Sequence, residues 1–354
     1  MGCISLFSIQ GVSMEISSNV FTQESFLLSS QKSEIESFWL DGHFNTFQGT
    51  DDIRINYASF IKPQHMRNLV VVPGRNEGYL KYKELAFDLV KQGFNVFIID
   101  HRGQGISERL LKAPHKGYVK SFEHYAEDLN SFIVNVVNKS PTHLTLSMKP
   151  YLLAHSMGGA ISLRLMQKTP NLIQAAILSA PMIGINLGGL PRWFAQAVVN
   201  SGNAVNKWWS KEPWYFMKQG GYKSVPFKEN KLTHSHVRYQ RFIEEYQNNK
   251  CIQLGGVTFN WLSEAFNARE NILKEVDRLS TPLLILQASK ETIVDNEAQN
   301  LLCDDINIHK KTTCEKIIIT GAKHEIFFEK DIYRNPALQK VLTWINKHPP
   351  ITLP

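Results

Sequence analysis

The residues Ala154-His155-Ser156-Met157-Gly158-Gly159 stand between a short apolar run, Tyr151-Ala154, and a run of helical spacing, Gly158-Gln167. A serine flanked by the small residues Ala154 and Gly158 at a strand-to-helix junction has the form of a nucleophile elbow. Small neighbours let a strained turn close, and the turn lifts the hydroxyl above the sheet edge. Ala154 takes the place of the more usual glycine, which reduces backbone freedom without blocking the turn. The competing reading is an ordinary serine in a glycine turn, and the strand-turn-helix context argues against it.

Short apolar strands alternate with helices on both sides of this junction. Upstream, alternating runs around Phe44-Phe47 and Ile53-Phe60 flank the turn-rich Gly49-Thr50-Asp51-Asp52 and predict a β-hairpin. Leu69-Val72 reads as a buried strand ending at Pro73-Gly74. Leu80-Lys91 reads as a helix stopped at Gly93, Val96-Asp100 as a strand and Phe122-Val137 as an amphipathic helix. After the strand Ala175-Leu178 the alternation stops at Pro181. It resumes near Pro282 with strands Leu283-Gln287 and Ile317-Thr320 and a last helix, Ala337-Lys347. This pattern predicts an α/β fold whose mostly parallel sheet is covered on both faces. With 354 residues, 43% of them apolar, the chain can bury such a core, which excludes disordered and low-complexity classes. The expected division is an N-terminal extension over residues 1–36, core segments over 37–181 and 276–354, and a mainly helical cap over 182–275.

A serine hydroxyl needs a base, and the base needs an orienting carboxylate, so the elbow predicts an acid and then a histidine further along the chain. His324 follows the strand Ile317-Thr320 through Gly321-Ala322-Lys323, where a base in a Ser…acid…His order belongs. The loop after Leu283-Gln287 offers two acids, Glu291 and Asp295. Glu291 is preferred because it lies just past the strand end. Asp295 is the alternative, although it is placed to begin the next helix, where a carboxylate caps and offsets the helix dipole. The oxyanion of an acyl-transfer intermediate needs N–H donors. Met157, immediately after Ser156, and Arg75, in the loop after Leu69-Val72, are the expected pair. The turn Asp100-His101-Arg102-Gly103-Gln104-Gly105 reads as loop architecture, and His155 as a residue that stabilises the elbow while pointing away from the reaction.

The chain carries a net charge of +7, and +6 of it lies in Pro191-Lys250, where ten Lys and Arg face four Glu. Trp193, Trp208, Trp209 and Trp214 are in the same stretch. Basic residues among aromatics suit an anionic amphiphile or a phospholipid surface, and they would also suit single-stranded nucleic acid in a non-catalytic binding module. A serine, acid and histidine in catalytic order argue against a purely binding role, and no nucleic-acid partner is expected. The expected cap is a lid whose aromatics enclose an acyl chain and whose cations attract phosphate. Cys3, Cys251, Cys303 and Cys314 show no CxxC pair or zinc spacing, so reduced thiols and no metal or other cofactor are expected. The N-terminus lacks the pattern of a secretory signal, and Leu6 departs from a myristoylation pattern. No stretch reaches the ~20 apolar residues of a membrane-spanning helix.

Several motifs together resemble those of the α/β-hydrolase superfamily, and within it the serine hydrolases that include monoacylglycerol lipases. Pro73-Gly74-Arg75 with Tyr79, Lys81 and Tyr82, the run Ile98-Gly105, the elbow Leu153-Ala160, Leu232-Thr233-His234-Ser235 and Gly321-Ala322-Lys323-His324-Glu325 look like the bacterial PldB-type lysophospholipases. The resemblance spans roughly Phe38 to His348 and leaves out the first 14 residues, so that Met14 is a candidate start. It implies an α/β-hydrolase fold and hydrolysis of the remaining acyl ester of a lysophospholipid. It also implies a cytoplasmic location with peripheral attachment to the inner membrane. By motif position it makes Ser156 the nucleophile, His324 the base and Glu291 the acid. Monoacylglycerol lipases have Asp in place of Glu291 and His-Gly in place of Pro73-Gly74, so a monoacylglycerol lipase or general carboxylesterase is the alternative activity. The oligomeric state is not legible in the sequence.

Overall fold

Side chains alternate along the central strands, with Leu69 and Val71 entering one apolar core and Val70 and Val72 the other. A sheet of this kind must be covered on both sides, and it is. The computed structural model describes residues 21–140 and 148–350, so the readings made for Cys3 and Met14 lie outside the described residues. In chain order the elements are α1 (Glu24–Leu28), α2 (Lys32–Leu40), β1 (His43–Gln48), β2 (Arg54–Phe60), β3 (Arg67–Val72) and α3 (Lys83–Lys91). Then follow β4 (Phe94–Ile99), α4 (Glu123–Asn135), β5 (Tyr151–His155), α5 (Met157–Lys168) and β6 (Ala176–Ser179). The chain continues with α6 (Arg192–Trp209), α7 (His236–Asn248), α8 (Phe259–Lys274), β7 (Leu283–Ala288), α9 (Asn296–His309), β8 (Cys314–Ile319) and α10 (Asp331–Lys347).

The eight strands lie in the order β1-β2-β4-β3-β5-β6-β7-β8. The expected hairpin is the antiparallel β1-β2 pair, β2 joins β4 antiparallel, and all other pairs are parallel. One core packs α4, α5, α8 and α9 on the sheet through Leu129, Ile161, Ile272 and Leu302. The other packs α3 and α10 through Leu85, Leu338 and Trp344. The parallel strands present their C-terminal ends, and the loops that follow them, along one edge, where ligands of such sheets bind.

Element limits differ from the sequence reading where polar residues obscure the pattern. A 3₁₀ turn, Tyr79–Tyr82, precedes α3, and β8 begins at Cys314 because Glu315 and Lys316 interrupt its apolar run. Helix α10 starts at Asp331 and contains Pro336, which removes one backbone donor without ending the helix. The boundary at residues 36 and 37 falls inside α2, whose Ile35 and Trp39 are buried.

The thiols require a correction. Cys303 of α9 and Cys314 of β8 form a disulfide, with Cα atoms 5.3 Å apart. The chain reverses at Lys310, in the left-handed conformation, and returns beside the helix it has just left. That return brings two distant positions within bridging range, which spacing alone does not reveal. Cys251 is an exposed free thiol.

Within residues 182–275, α6 buries Val199, Asn203 and Asn206. Its Trp193, Trp208 and Trp209 are 72%, 81% and 71% exposed, so these rings face outward and do not enclose an acyl chain as the sequence led one to expect. Among the described residues, no helix is long and apolar enough to cross a membrane.

Candidate active site

Ser156 follows β5 directly and caps α5 with φ 51° and ψ −115°, a strained conformation for a residue with a side chain. Its N–H donates to Ser179 O at 3.0 Å, and its carbonyl accepts from Gly159 and Met182, each at 2.9 Å. Close approach dictates the glycines beside it. A Cβ on Gly158 would lie 2.2 Å from Val72 O, and one on Gly159 2.6 Å from Pro181 Cβ.

The loop after β8 carries His324 to this serine, with Nε2 3.0 Å from Ser156 Oγ. Its Nδ1 is 2.7 Å from Glu291 Oε2. The other carboxylate oxygen of Glu291 accepts the N–H groups of Thr292, Ile293 and Val294 at 2.9, 2.7 and 3.2 Å, which aims Oε2 at the imidazole. Burial alone would raise the Glu291 pKa; the hydrogen bond and charge of His324, with the N–H groups of Ile293 and Val294, outweigh it and lower it. Asp295 does not reach His324. It caps α9 by accepting from Glu297 and Ala298, and it pairs with Arg192 at 3.3 Å.

The loop after β3 runs against Ser156, for a Cβ on Gly74 would lie 3.2 Å from Ser156 Cβ. Gly74 N–H donates to Glu77 Oε2 at 2.5 Å. The turn after β4 clamps this loop. His101 Nε2 lies 3.1 Å from Pro73 O, Gln104 donates to Gly74 O at 3.1 Å, and Asp100 accepts from Tyr79 N–H at 2.5 Å. Its role is architectural, as the sequence suggested.

Beneath both loops lies a buried brace that the sequence reading did not interpret. The Lys81 ammonium bridges the carboxylates of Glu77 and Glu325, and Tyr82 donates to Glu77 at 2.6 Å. Burial raises the Glu77 pKa, but Lys81 and His155 more than offset it and hold it low; burial and the neighbouring Glu77 raise that of Glu325. His155 packs its ring 4.8 Å from that of His324, and burial pulls it down to about 3, so it is a neutral imidazole at ordinary pH. Glu77, His155 and Glu325 form the cluster with metal-ligand chemistry among the described residues. Lys81 already supplies their cation. The motif Leu232-Thr233-His234-Ser235 docks on the same loop, with Glu325 N–H donating to Leu232 O at 2.9 Å and Thr233 to Phe328 O at 2.8 Å. The only sequence sign of this brace was charge inside the apolar, aromatic window from Tyr79 to Tyr82.

Comparison with known proteins places this geometry. The family model described as serine aminopeptidase, S33 (Hydrolase_4) matches residues 63–331. The chain is 38% identical to lysophospholipase L2 of Escherichia coli K12 over 329 residues, covering 92% of this chain and 94% of that one. It is 34% identical to the probable lysophospholipase L2 of Haemophilus influenzae, covering 84% and 90%. Among solved structures, the monoacylglycerol lipase of Paleococcus ferrophilus shares the fold with a TM-score of 0.63 at 21% identity, covering 83% of this chain and 99% of that one. The protein is thus a hydrolase of the α/β-hydrolase fold, and it belongs to the Hydrolase_4 family and, within it, to the lysophospholipase L2 family.

Proposed function

We propose that the protein hydrolyses the acyl ester of a lysophospholipid through Ser156, His324 and Glu291. The supporting observation is the hydrogen-bonded line from Glu291 through His324 to a strained, buried Ser156, in a chain 38% identical to lysophospholipase L2. Ser156 Oγ attacks the ester carbonyl as His324 Nε2 takes its proton, and the oxyanion forms against the N–H groups of Met157 and Arg75. His324 returns the proton to the departing glycerol oxygen, leaving an acyl-serine. It then deprotonates a water that attacks the acyl carbonyl, releasing the fatty acid and restoring Ser156. Glu291 fixes the imidazole tautomer and stabilises the imidazolium.

In this reading residues 182–275 are the cap, and its outer face rests on the membrane as a peripheral contact. Tryptophans on an amphipathic helix favour a lipid interface. Lys207, Lys211, Lys218 and Lys223 are exposed beside them and suit anionic head groups. A fluorophosphonate adduct on Ser156, found by mass spectrometry with parallel loss of fatty-acid release from lysophosphatidylethanolamine, is the expected result. Labelling of Ser156 with turnover of monoacylglycerol but not of lysophospholipid would move the assignment to a monoacylglycerol lipase.

A further inference from the structure

Two guanidinium groups, on the loops after β3 and β4, make no ion pair with a carboxylate among the described residues. Arg75 donates Nη2 to Gly255 O, while its Nε is buried without a hydrogen-bond partner. Arg109, in the loop after β4, donates Nη2 to Cys251 O at 2.6 Å, and its Nε and Nη1 are buried and unpartnered. Arg102, Arg164, Arg238 and Arg334 each pair with a carboxylate; Arg75 and Arg109 pair with none among the described residues. Burial pulls Arg75 down to about 10, and it lowers Arg109 as well, with Asp100 acting only partly against it.

A tyrosine hydroxyl lies nearby. Tyr222 Oη is buried, with the Ser224 side chain as its hydrogen-bond partner, and its ring stacks 5.8 Å from that of Tyr246. Tyr246 hydrogen-bonds Asn76 O, next to Arg75, and interacts electrostatically with both guanidiniums. Guanidinium donors without an acceptor thus lie near one ring, at the seam where the loops after β3 and β4 meet residues 251–255. The exposed Lys207 of α6 differs in kind, because water solvates it. Buried donors and unpaired cations are costly unless a ligand completes them. The complement must be an anion with several acceptor oxygens.

We propose that Arg75, Arg109 and Tyr222 receive the phosphodiester of the lysophospholipid head group while its ester carbonyl lies at Ser156. The inference rests on the lysophospholipase reading and adds the residues that would separate this substrate from a neutral monoacylglycerol. One glycerol unit links ester and phosphate, and the loop that carries Arg75 passes Ser156 at Gly74, so one loop reaches both ends of that unit.

The test compares kcat/KM for lysophosphatidylethanolamine and for a monoacylglycerol of the same chain length in Arg109→Met, Tyr222→Phe and the unsubstituted protein. Loss of a charge-assisted bond predicts a fall of at least about tenfold in the lysophospholipid-to-monoacylglycerol ratio for Arg109→Met, chiefly through KM, and a smaller fall for Tyr222→Phe. Using a ratio cancels any loss of folded protein. Glycerophosphoethanolamine should competitively inhibit hydrolysis of 4-nitrophenyl butyrate, and more weakly in Arg109→Met. An unchanged ratio with lysophospholipid hydrolysis intact overturns this inference alone. Equal losses on both substrates would assign the arginine a structural role and also overturn it. Inhibition by inorganic phosphate but not by the phosphodiester would assign the pocket to a free anion. If the unsubstituted protein cleaves monoacylglycerol and no lysophospholipid, the proposed function falls together with the inference.

Discussion

The loops around Ser156 and the outer face of the cap use similar residue types in opposite ways. Near the serine, charge is buried and tied: Lys81 lies between Glu77 and Glu325, Arg102 grips Asp128, and Glu329 holds the loop of His324 through Lys323 N–H. On the cap, Trp193, Trp208 and Trp209 are exposed, and Lys207, Lys211, Lys218, Lys223, Lys228, Lys231 and Lys250 are exposed and make no ion pair among the described residues. A buried charge holds one geometry because leaving it unpaired is expensive. An exposed one costs little to leave free and remains available to a partner. Ser156, His324 and Glu291 therefore sit where the chain is cross-braced, and the free cations and exposed rings where it is not.

The largest effects should come from breaking the braced side at its centre. Ser156→Ala is expected to lower kcat by about 10⁴-fold or more, read with a soluble short-chain ester. Glu291→Gln should lower it by about 10³–10⁴-fold, because the imidazole loses the group that fixes its tautomer. Asp295→Asn should stay within about tenfold, since an N-cap change acts mainly on stability at about 1 kcal/mol. Near-normal turnover in Glu291→Gln with abolition in Asp295→Asn would reverse the two roles.

Lys81→Met probes the brace itself. It leaves two buried carboxylates without a cation, and removing one member of a buried ionic cluster costs about 3–5 kcal/mol, read as a lower urea midpoint. The pH dependence gives the sign. Glu77 titrates at about 2 in the folded protein, so in the native chain its contribution is present above the ordinary 4.5 and lost as pH falls toward 2. In Lys81→Met the facing carboxylates repel, and protonating one relieves them. The deficit should be widest near neutral pH and narrow as pH falls to about 3. A deficit independent of pH would mean that Lys81 acts by packing alone.

Cys303→Ala should cost less. Opening a loop of 11 residues is worth about 2–3 kcal/mol, visible as a lower Tm with activity at 25 °C retained. The bridge joins α9 to β8, one element before the histidine loop. Loss of turnover at temperatures where the fold persists would show that the bridge also positions His324.

What was legible in the sequence was local. The elbow, the hairpin and the parallel strands each declare themselves through residue spacing, and Glu291 could be preferred because loop position is a local property too. The disulfide was not legible because it depends on how α9 and β8 pack. Lys81, Glu77 and Glu325 acquire their meaning only where three loops converge. The outward turn of the tryptophans was hidden for another reason: α6 buries Asn203 and Asn206, and Asn206 donates to Glu212 O and accepts from Trp214 N–H, so apolar content alone selects the wrong face.

The smallest expected effects test the unbraced side. Trp208→Ala/Trp209→Ala should reduce partition onto vesicles containing anionic phospholipid by about tenfold, while kcat on a water-soluble ester changes little. Replacing Lys207 and Lys211 by Gln should cost about 1 kcal/mol of binding per lysine, and that loss should fade as salt shortens the Debye length from about 10 Å at 0.1 M toward 3 Å at 1 M. The tryptophan effect should persist in the same salt, since burial of apolar surface is not screened. The two substitutions therefore separate what the aromatics and the cations of one face contribute. If both sets leave vesicle binding and its salt dependence untouched, the cap face is not the membrane contact, and the contrast between the two regions reduces to one of burial.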